Sequence, residues 1–107
     1  MKIKSLSRNS DFKRAYFKGV RKSSKNISIY VRRVFSDEVQ FGITASKKIG
    51  CAVERNRARR LIREACRILG PISGYHIVIV AHRSILECKM RDVHKEICFL
   101  LKCLKIG

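Results

Sequence analysis

Two stretches of the chain alternate strictly between apolar and polar residues. From 27 to 33, Ile27, Ile29 and Val31 alternate with Ser28, Tyr30 and Arg32; from 39 to 46, Val39, Phe41, Ile43 and Ala45 alternate with Gln40, Gly42, Thr44 and Ser46. A period of two predicts strands with one buried face. Ser36, Asp37 and Glu38 read as the turn between them. Paired as an antiparallel hairpin, the two strands would offer helices an aliphatic face. Their other face, carrying small polar groups with Tyr30 and Arg32, would be shallow enough to admit a ligand backbone. A third stretch, YHIVIVAH from 75 to 82, is apolar on both faces and belongs in the middle of a sheet.

Three other segments repeat at the helical period. Phe12, Ala15, Tyr16 and Gly19 fall on one face of a first helix that Asn9 or Ser10 would cap and Gly19 would end. The following VRKSSKN, 20 to 26, reads as a basic loop. Near the other end, Ser84 and Glu87 have capping-box spacing ahead of Leu86, Met90, Val93, Ile97, Leu100 or Leu101, and Leu104, which mark an amphipathic helix to about Lys105. The third helix covers 55 to 69, with Gly70 and Pro71 to stop it. The order is α-β-β-α-β-α, without internal repeat or linker: one compact mixed domain over 1–107.

The middle helix is sharply divided. At about 100° per residue, Arg59, Arg63, Asn56, Arg67 and Arg60 follow Arg55 within an arc of about 140°. Ile68, Leu61, Ala65, Ala58, Leu69 and Ile62 occupy the complementary arc. The basic arc holds five arginines and no carboxylate, although like charges at i and i+4 repel. A face meant only for solubility would intersperse acids. Arg57 lies outside this arc and is expected to project from the first turn towards a different surface. Before the helix, Ser46, Lys47 and Lys48 leave the strand, and Gly50 permits a sharp turn from which free backbone N–H groups would point at an anion.

Charge turns this pattern into a partner. The 107 residues carry 25 Lys and Arg against 8 Asp and Glu, a formal charge of +17, and 46% of them are hydrophobic, enough for a core. A polyanion is the expected partner. Arginine, with its planar fork, makes bidentate phosphate contacts and stacks on bases. Phe12, Tyr16 and Tyr30 are candidates to stack on unpaired bases. No apolar run of about 18 residues would span a bilayer, and no apolar segment follows the first lysines as in a secretory signal, so a cytoplasmic chain is expected.

Catalytic chemistry is poorly supplied. The eight acids are scattered, whereas metal-assisted phosphodiester hydrolysis needs carboxylates converging on divalent ions. Asp92 and Glu96 share a helical face and read as surface partners of Lys89, Arg91 and Lys95. His76, His82 and His94 have no recognisable catalytic spacing. The five cysteines contain no C-x-x-C pair, and Cys66, Cys98 and Cys103 read as small core-filling residues. The sequence shows no sign of a small-molecule cofactor.

The stretch SKKIGCAVERNRARRLIREACR, 46 to 67, resembles the signature of the bacterial ribonuclease P protein subunit: Ser-Lys-Lys-x-Gly, Ala-Val, then Arg-Asn-Arg and a basic amphipathic helix. DFKRAYFKG, 11 to 19, resembles the first helix of that family, and Ile29 with Tyr30 its first strand. The resemblance implies an α/β (α+β) domain with a central mixed sheet of about four strands and a left-handed βαβ crossover. It also implies a subunit that joins a large catalytic RNA, the ribonuclease P RNA, to remove the 5′ leader of precursor tRNA, with Mg2+ held mainly by the RNA. By the same resemblance Arg55, Asn56, Arg57, Arg59, Arg60 and Arg63 lie near the catalytic RNA, with Lys47 and Arg67 added to that surface. Phe12, Tyr16, Tyr30 and Lys48 match a cleft that takes the leader. Cys51 stands where the family commonly has Asn, and Tyr16 where it commonly has Phe. A structural RNA-binding protein such as a ribosomal component fits the charge equally well, and a stand-alone nuclease is the third reading.

Overall fold

The computed structural model describes residues 3–5, 9–35, 39–69 and 74–104. Its elements are β1 (Ile3–Ser5), α1 (Asn9–Lys18), β2 (Val20–Ser23), β3 (Ile27–Arg33), β4 (Val39–Thr44), α2 (Ala52–Arg67), β5 (Tyr75–Ala81), a 3₁₀ turn at Arg83–Glu87 and α3 (Met90–Cys103). The strands form one mixed sheet in the order β1-β4-β5-β3-β2. It has five strands where about four were expected, the short β1 adding a parallel edge to β4.

The placement of β5 corrects the expected hairpin. β3 and β4 do not pair with each other. β5 lies between them, antiparallel to β3 with Ile29 opposite Ile79, and parallel to β4 with Phe41 opposite Ile77. A strand that is apolar on both faces is best placed where both faces are covered. The parallel pairing of β4 and β5 in turn requires a long crossover, and α2 supplies it. The residues read as the turn, Ser36 to Glu38, lie outside the described residues, as do Gly70 and Pro71.

The segment expected as a basic loop is largely a strand. β2 pairs antiparallel with β3, setting Arg21 opposite Tyr30 and Ser23 opposite Ser28. Gly19 connects α1 to β2, and its amide donates to Ala15 O at 2.9 Å, ending the helix as predicted. A Cβ on Gly19 would lie 2.8 Å from Val31 O and would also press on Ala15 O. Only glycine fits between these two backbones. α1 itself begins at Asn9, so both residues read as caps lie inside its first turn.

Alternation then assigns two layers. Ile27, Ile29, Val31, Val39, Phe41, Ile77, Ile79 and Ala81 face α2 and α3 and form the main core with Ala58, Ile62, Ala65, Val93, Ile97, Leu100 and Leu101. On the other face α1 lies against β3 and β5 through a small cluster in which Ala15 meets Val78, with Phe12, Tyr30 and Val80 around it. Cys66 and Cys88 are buried in the main core, and Cys98 packs against it. Burial pushes the Cys66 thiol up to about 12. Cys103 is exposed and is not the core filler its spacing predicted: it lies at the end of α3, on the side turned away from the sheet.

Polar side chains tie one end of this sheet to α3. Glu96 on α3 accepts hydrogen bonds from the Ser24 hydroxyl, the Asn26 amide at 2.9 Å and Asn26 Nδ2 at 2.9 Å. This clamp on the β2–β3 turn replaces the surface ion pairs expected for Glu96. Asp92 instead accepts from the Lys89 amide at 3.0 Å and opens α3. The final helix accordingly starts at Met90, later than its Ser84 signal predicted, because the Ser84 hydroxyl donates to Lys25 O at 3.0 Å. Ser28, buried on the α1 face, meets Ser23 Oγ at 2.9 Å and His82 Nε2 at 2.8 Å, while His82 Nδ1 lies 3.1 Å from Lys25 O. Since a carbonyl only accepts, Nδ1 carries a proton, and in the neutral ring Nε2 accepts from the Ser28 hydroxyl.

Candidate RNA interface

The basic segment begins with a tight turn after β4. The Ile49 amide donates to Ser46 O at 3.0 Å and the Lys48 amide to Ser46 Oγ at 3.3 Å. Ile49 is buried and plugs the turn, leaving Lys47 and Lys48 exposed. Gly50 follows at φ 146°, a conformation side chains resist. Cys51 is then the N-cap of α2, and Glu54 reaches back to accept from its amide at 3.1 Å. That bond, reinforced by the Cys51 side chain, holds the Glu54 carboxyl below its usual value. A sulfur is a weak acceptor, so the acid three residues on does the capping an asparagine would share.

Along α2 the buried stripe is Ala58, Ile62, Ala65 and Cys66, with Leu61 partly covered. Compared with the sequence-based wheel, this stripe is rotated towards the first arginines. Arg55 and Arg59 are therefore half-buried. Arg59 donates to Asn56 Oδ1 at 3.3 Å and to Ala45 O at 3.5 Å, fastening the helix to the end of β4. Arg55 Nε is enclosed without a hydrogen-bond partner among the described residues. Asn56, Arg57, Arg60, Arg63 and Arg67 are exposed. Arg57 thus shares the open arc with Arg60 and Arg63, and the two arginines set apart are Arg55 and Arg59. The open arc also includes Glu64, so it is not free of carboxylates. Ile68, assigned to the core, is exposed because the helix ends at Arg67.

The aromatic candidates meet on the α1 face of the sheet. Tyr16 and Tyr30 stand edge to face, with ring centroids 4.7 Å apart and an interplanar angle of 88°. The Tyr16 hydroxyl lies 3.3 Å from Thr44 Oγ1, and Arg21 lies over the Tyr30 ring with its guanidinium carbon 5.8 Å from the centroid. Phe12 and Tyr30 are both half-buried on the Ala15–Val78 cluster, while Tyr16 is more open. Arg21 escaped sequence reading because it faces Tyr30 only through the β2–β3 pairing. Thr44 joins the two halves of the site: it touches Tyr16 and ends the strand from which Lys47, Lys48 and α2 depart.

Three acids are committed to structural bonds, Glu54 at the start of α2, Asp92 at the start of α3 and Glu96 on the β2–β3 turn, while Glu64 stands exposed among the arginines of α2. Among the described residues no three His, Cys, Asp or Glu side chains gather as a metal site requires. What the surface offers is guanidinium, ammonium and aromatic rings on a mixed sheet, the equipment of a nucleic-acid-binding domain.

Comparison with known proteins gives this class its family. The sequence model of the Ribonuclease P family matches residues 1–105. A ribonuclease P protein component from Clostridioides difficile is 39% identical over 106 residues, covering 94% of this chain and 91% of that protein. One from Pelotomaculum thermopropionicum is 36% identical over 104 residues, covering 95% of this chain and 93% of its own. The solved structure of Staphylococcus aureus RNase P protein superposes with a TM-score of 0.84 at 28% identity, covering 98% of both chains. The chain belongs to the ribonuclease P protein family, and so is the protein subunit of an endoribonuclease that processes tRNA and whose partner is an RNA subunit.

Proposed function

We propose that the open face of α2, Asn56, Arg57, Arg60, Arg63 and Arg67, together with Lys47, docks on the catalytic RNA. Arg59, bonded to Ala45 O just past β4, backs that face, with Arg55 half-buried beside it. The cleft of Phe12, Tyr16, Tyr30 and Lys48 takes the 5′ leader of precursor tRNA, with Arg21 beside it. The carrying observation is that four arginines on one helix stay exposed while the side chains opposite them are buried in the core. Such a face is organised to meet phosphates.

The Mg2+ ions of phosphodiester hydrolysis do not fit the donors among the described residues: Glu54, Asp92 and Glu96 are turned inward to backbone amides, and the exposed Glu64 and Glu87 do not gather there with other ligands into a metal site. We assign them to the RNA subunit. The chain's part is binding and positioning: arginines that neutralise phosphates, and rings that hold the leader away from duplex geometry. No helix among the described residues is long and apolar enough to cross a membrane; work on tRNA precursors supports a cytoplasmic location.

The test is reconstitution with a ribonuclease P RNA and a precursor tRNA at limiting magnesium. Arg57→Ala is expected to lower cleavage about tenfold, a magnitude typical of one lost charge-assisted contact, with an unchanged melting temperature. Affinity for the RNA should fall by about 10³ to 10⁵ between 50 and 200 mM salt if roughly 6 to 10 phosphates are neutralised. A ribosomal-type binding protein would bind RNA without stimulating cleavage, and a stand-alone nuclease would cleave without added RNA. Wild-type cleavage by Arg57→Ala would remove α2 from the proposed interface.

A further inference from the structure

The tyrosine pair uses part of its own ring surface. One tyrosine meets the other edge-on, and Arg21 lies over the Tyr30 ring, so part of the pair's ring surface is already taken. The residue after Tyr16 has no such partner: Phe17 is 87% exposed, against 38% for Tyr16. It lies one helical step round α1 from the pair, about 100° away. Lys13, Arg14 and Lys18 are exposed with it, Lys13 one turn before Phe17 and Arg14 three residues before, on the same outward side. None of the described α1 side chains is acidic. Arg21, at the edge strand β2 that follows the helix, extends this positive rim back to Tyr30.

Phe35 and Phe99 are also open, but neither continues the cleft. Phe99 stands on α3, across the sheet from α1. Among the described residues, Phe17 combines an open ring, the exposed cations Lys13, Arg14 and Lys18 around it, and a place beside the tyrosine pair. An aromatic ring on a basic face holds single-stranded nucleic acid: the cations follow the backbone and the ring accepts any base.

We propose that the outward face of α1, Phe17 framed by Lys13, Arg14 and Lys18, is a second stacking platform for single-stranded RNA. It takes a leader nucleotide further from the cleavage site, after the strand has passed Tyr16 and Tyr30. This rests on the leader-cleft reading above and adds to it a subsite on a different surface of the same helix.

Precursor tRNAs whose leaders are lengthened one nucleotide at a time test the platform, with affinity measured for holoenzymes carrying wild-type, Phe17→Ala, Phe17→Trp, Phe17→Lys or Tyr30→Ala protein. Phe17 is almost fully exposed, so its truncation leaves no cavity and the melting temperature should hold. For short leaders Phe17→Ala should match wild type. For extended leaders it should lose the further gain in affinity, roughly fivefold or more. Phe17→Trp should keep that gain. Tyr30→Ala should weaken short and extended leaders alike. If Phe17→Ala matches wild type at every length, or weakens every length equally, the platform is overturned. Retention of the gain by Phe17→Lys would also overturn it, since charge and not stacking would then suffice. A Phe17 effect confined to extended leaders, beside a Tyr30→Ala protein that behaves as wild type, would uphold the platform and reject the cleft.

Discussion

The two faces of the sheet are built to different depths. On one side α2 and α3 bury Ile62, Ala65, Val93, Ile97 and Leu100 against three strands. On the other, α1 rests on little more than Ala15 against Val78, with Phe12 and Tyr30 half-covered. The contrast explains how the chain tolerates its charge. A crowded line of arginines repels itself, but the α2 that carries it is held from beneath by core contacts that the repulsion cannot undo. The thin side leaves the polar face of β3 and β4 partly open, and the rings stay where a flexible strand can reach them.

The comparison breaks most visibly under truncation. Ile62→Ala empties a fully buried position and should cost about 2 to 5 kcal/mol in denaturant unfolding, while Phe12→Ala on the thin side should cost less despite its larger side chain. Leader affinity should show the reverse order. Equal losses of stability would mean that the α1 layer is as deep as the other.

Glu96 sharpens the contrast, because it reaches from α3 to the turn that carries the edge of the thin side. Glu96→Ala removes the acceptor for Ser24 and Asn26 and should cost about 1 to 3 kcal/mol. Amide exchange should quicken first in β2, the edge strand, and no such local change would argue that the turn holds itself.

The smallest effect lies at the start of α2. Cys51→Asn introduces a preferred N-cap residue and should raise stability by about 0.5 to 1 kcal/mol, seen as a higher melting temperature. Glu54 supplies the pH dependence. Its folded carboxyl is held below the ordinary value, so its contribution is complete above the unfolded carboxylate range and is lost as pH falls through the folded value. Glu54→Gln should flatten that acid limb of the stability curve; a profile parallel to wild type would show that the bond to the Cys51 amide carries no linkage.

Local pattern was enough for much of this. The period of two in 27–33 and 39–46 located β3 and β4, the run of 75–82 apolar on both faces located β5, and the helical period of Val93, Ile97, Leu100 and Leu101 located the buried face of α3. It misled where a local signal had a remote competitor: Ser84 resembles a cap but donates to Lys25, and Glu96 resembles a surface ion-pair partner but clamps a turn some seventy residues earlier. The candidate site divides the same way. The exposure of Arg60, Arg63 and Arg67 was legible from the wheel, whereas the half-burial of Arg55 and Arg59 required knowing where β4 ends.

By itself the sequence determined β3, β4, β5 and the three helices, though not β1 or β2, together with the central character of β5, the basic side of α2 and the family motif, because each is written in residues a few positions apart. The tertiary structure alone decided the strand order, the meeting of Arg21, Tyr30, Tyr16 and Thr44, and the isolation of Phe17 beside them. Those depend on which strands pair and which helix covers them, a choice made by burying β5 on both faces across most of the chain's length.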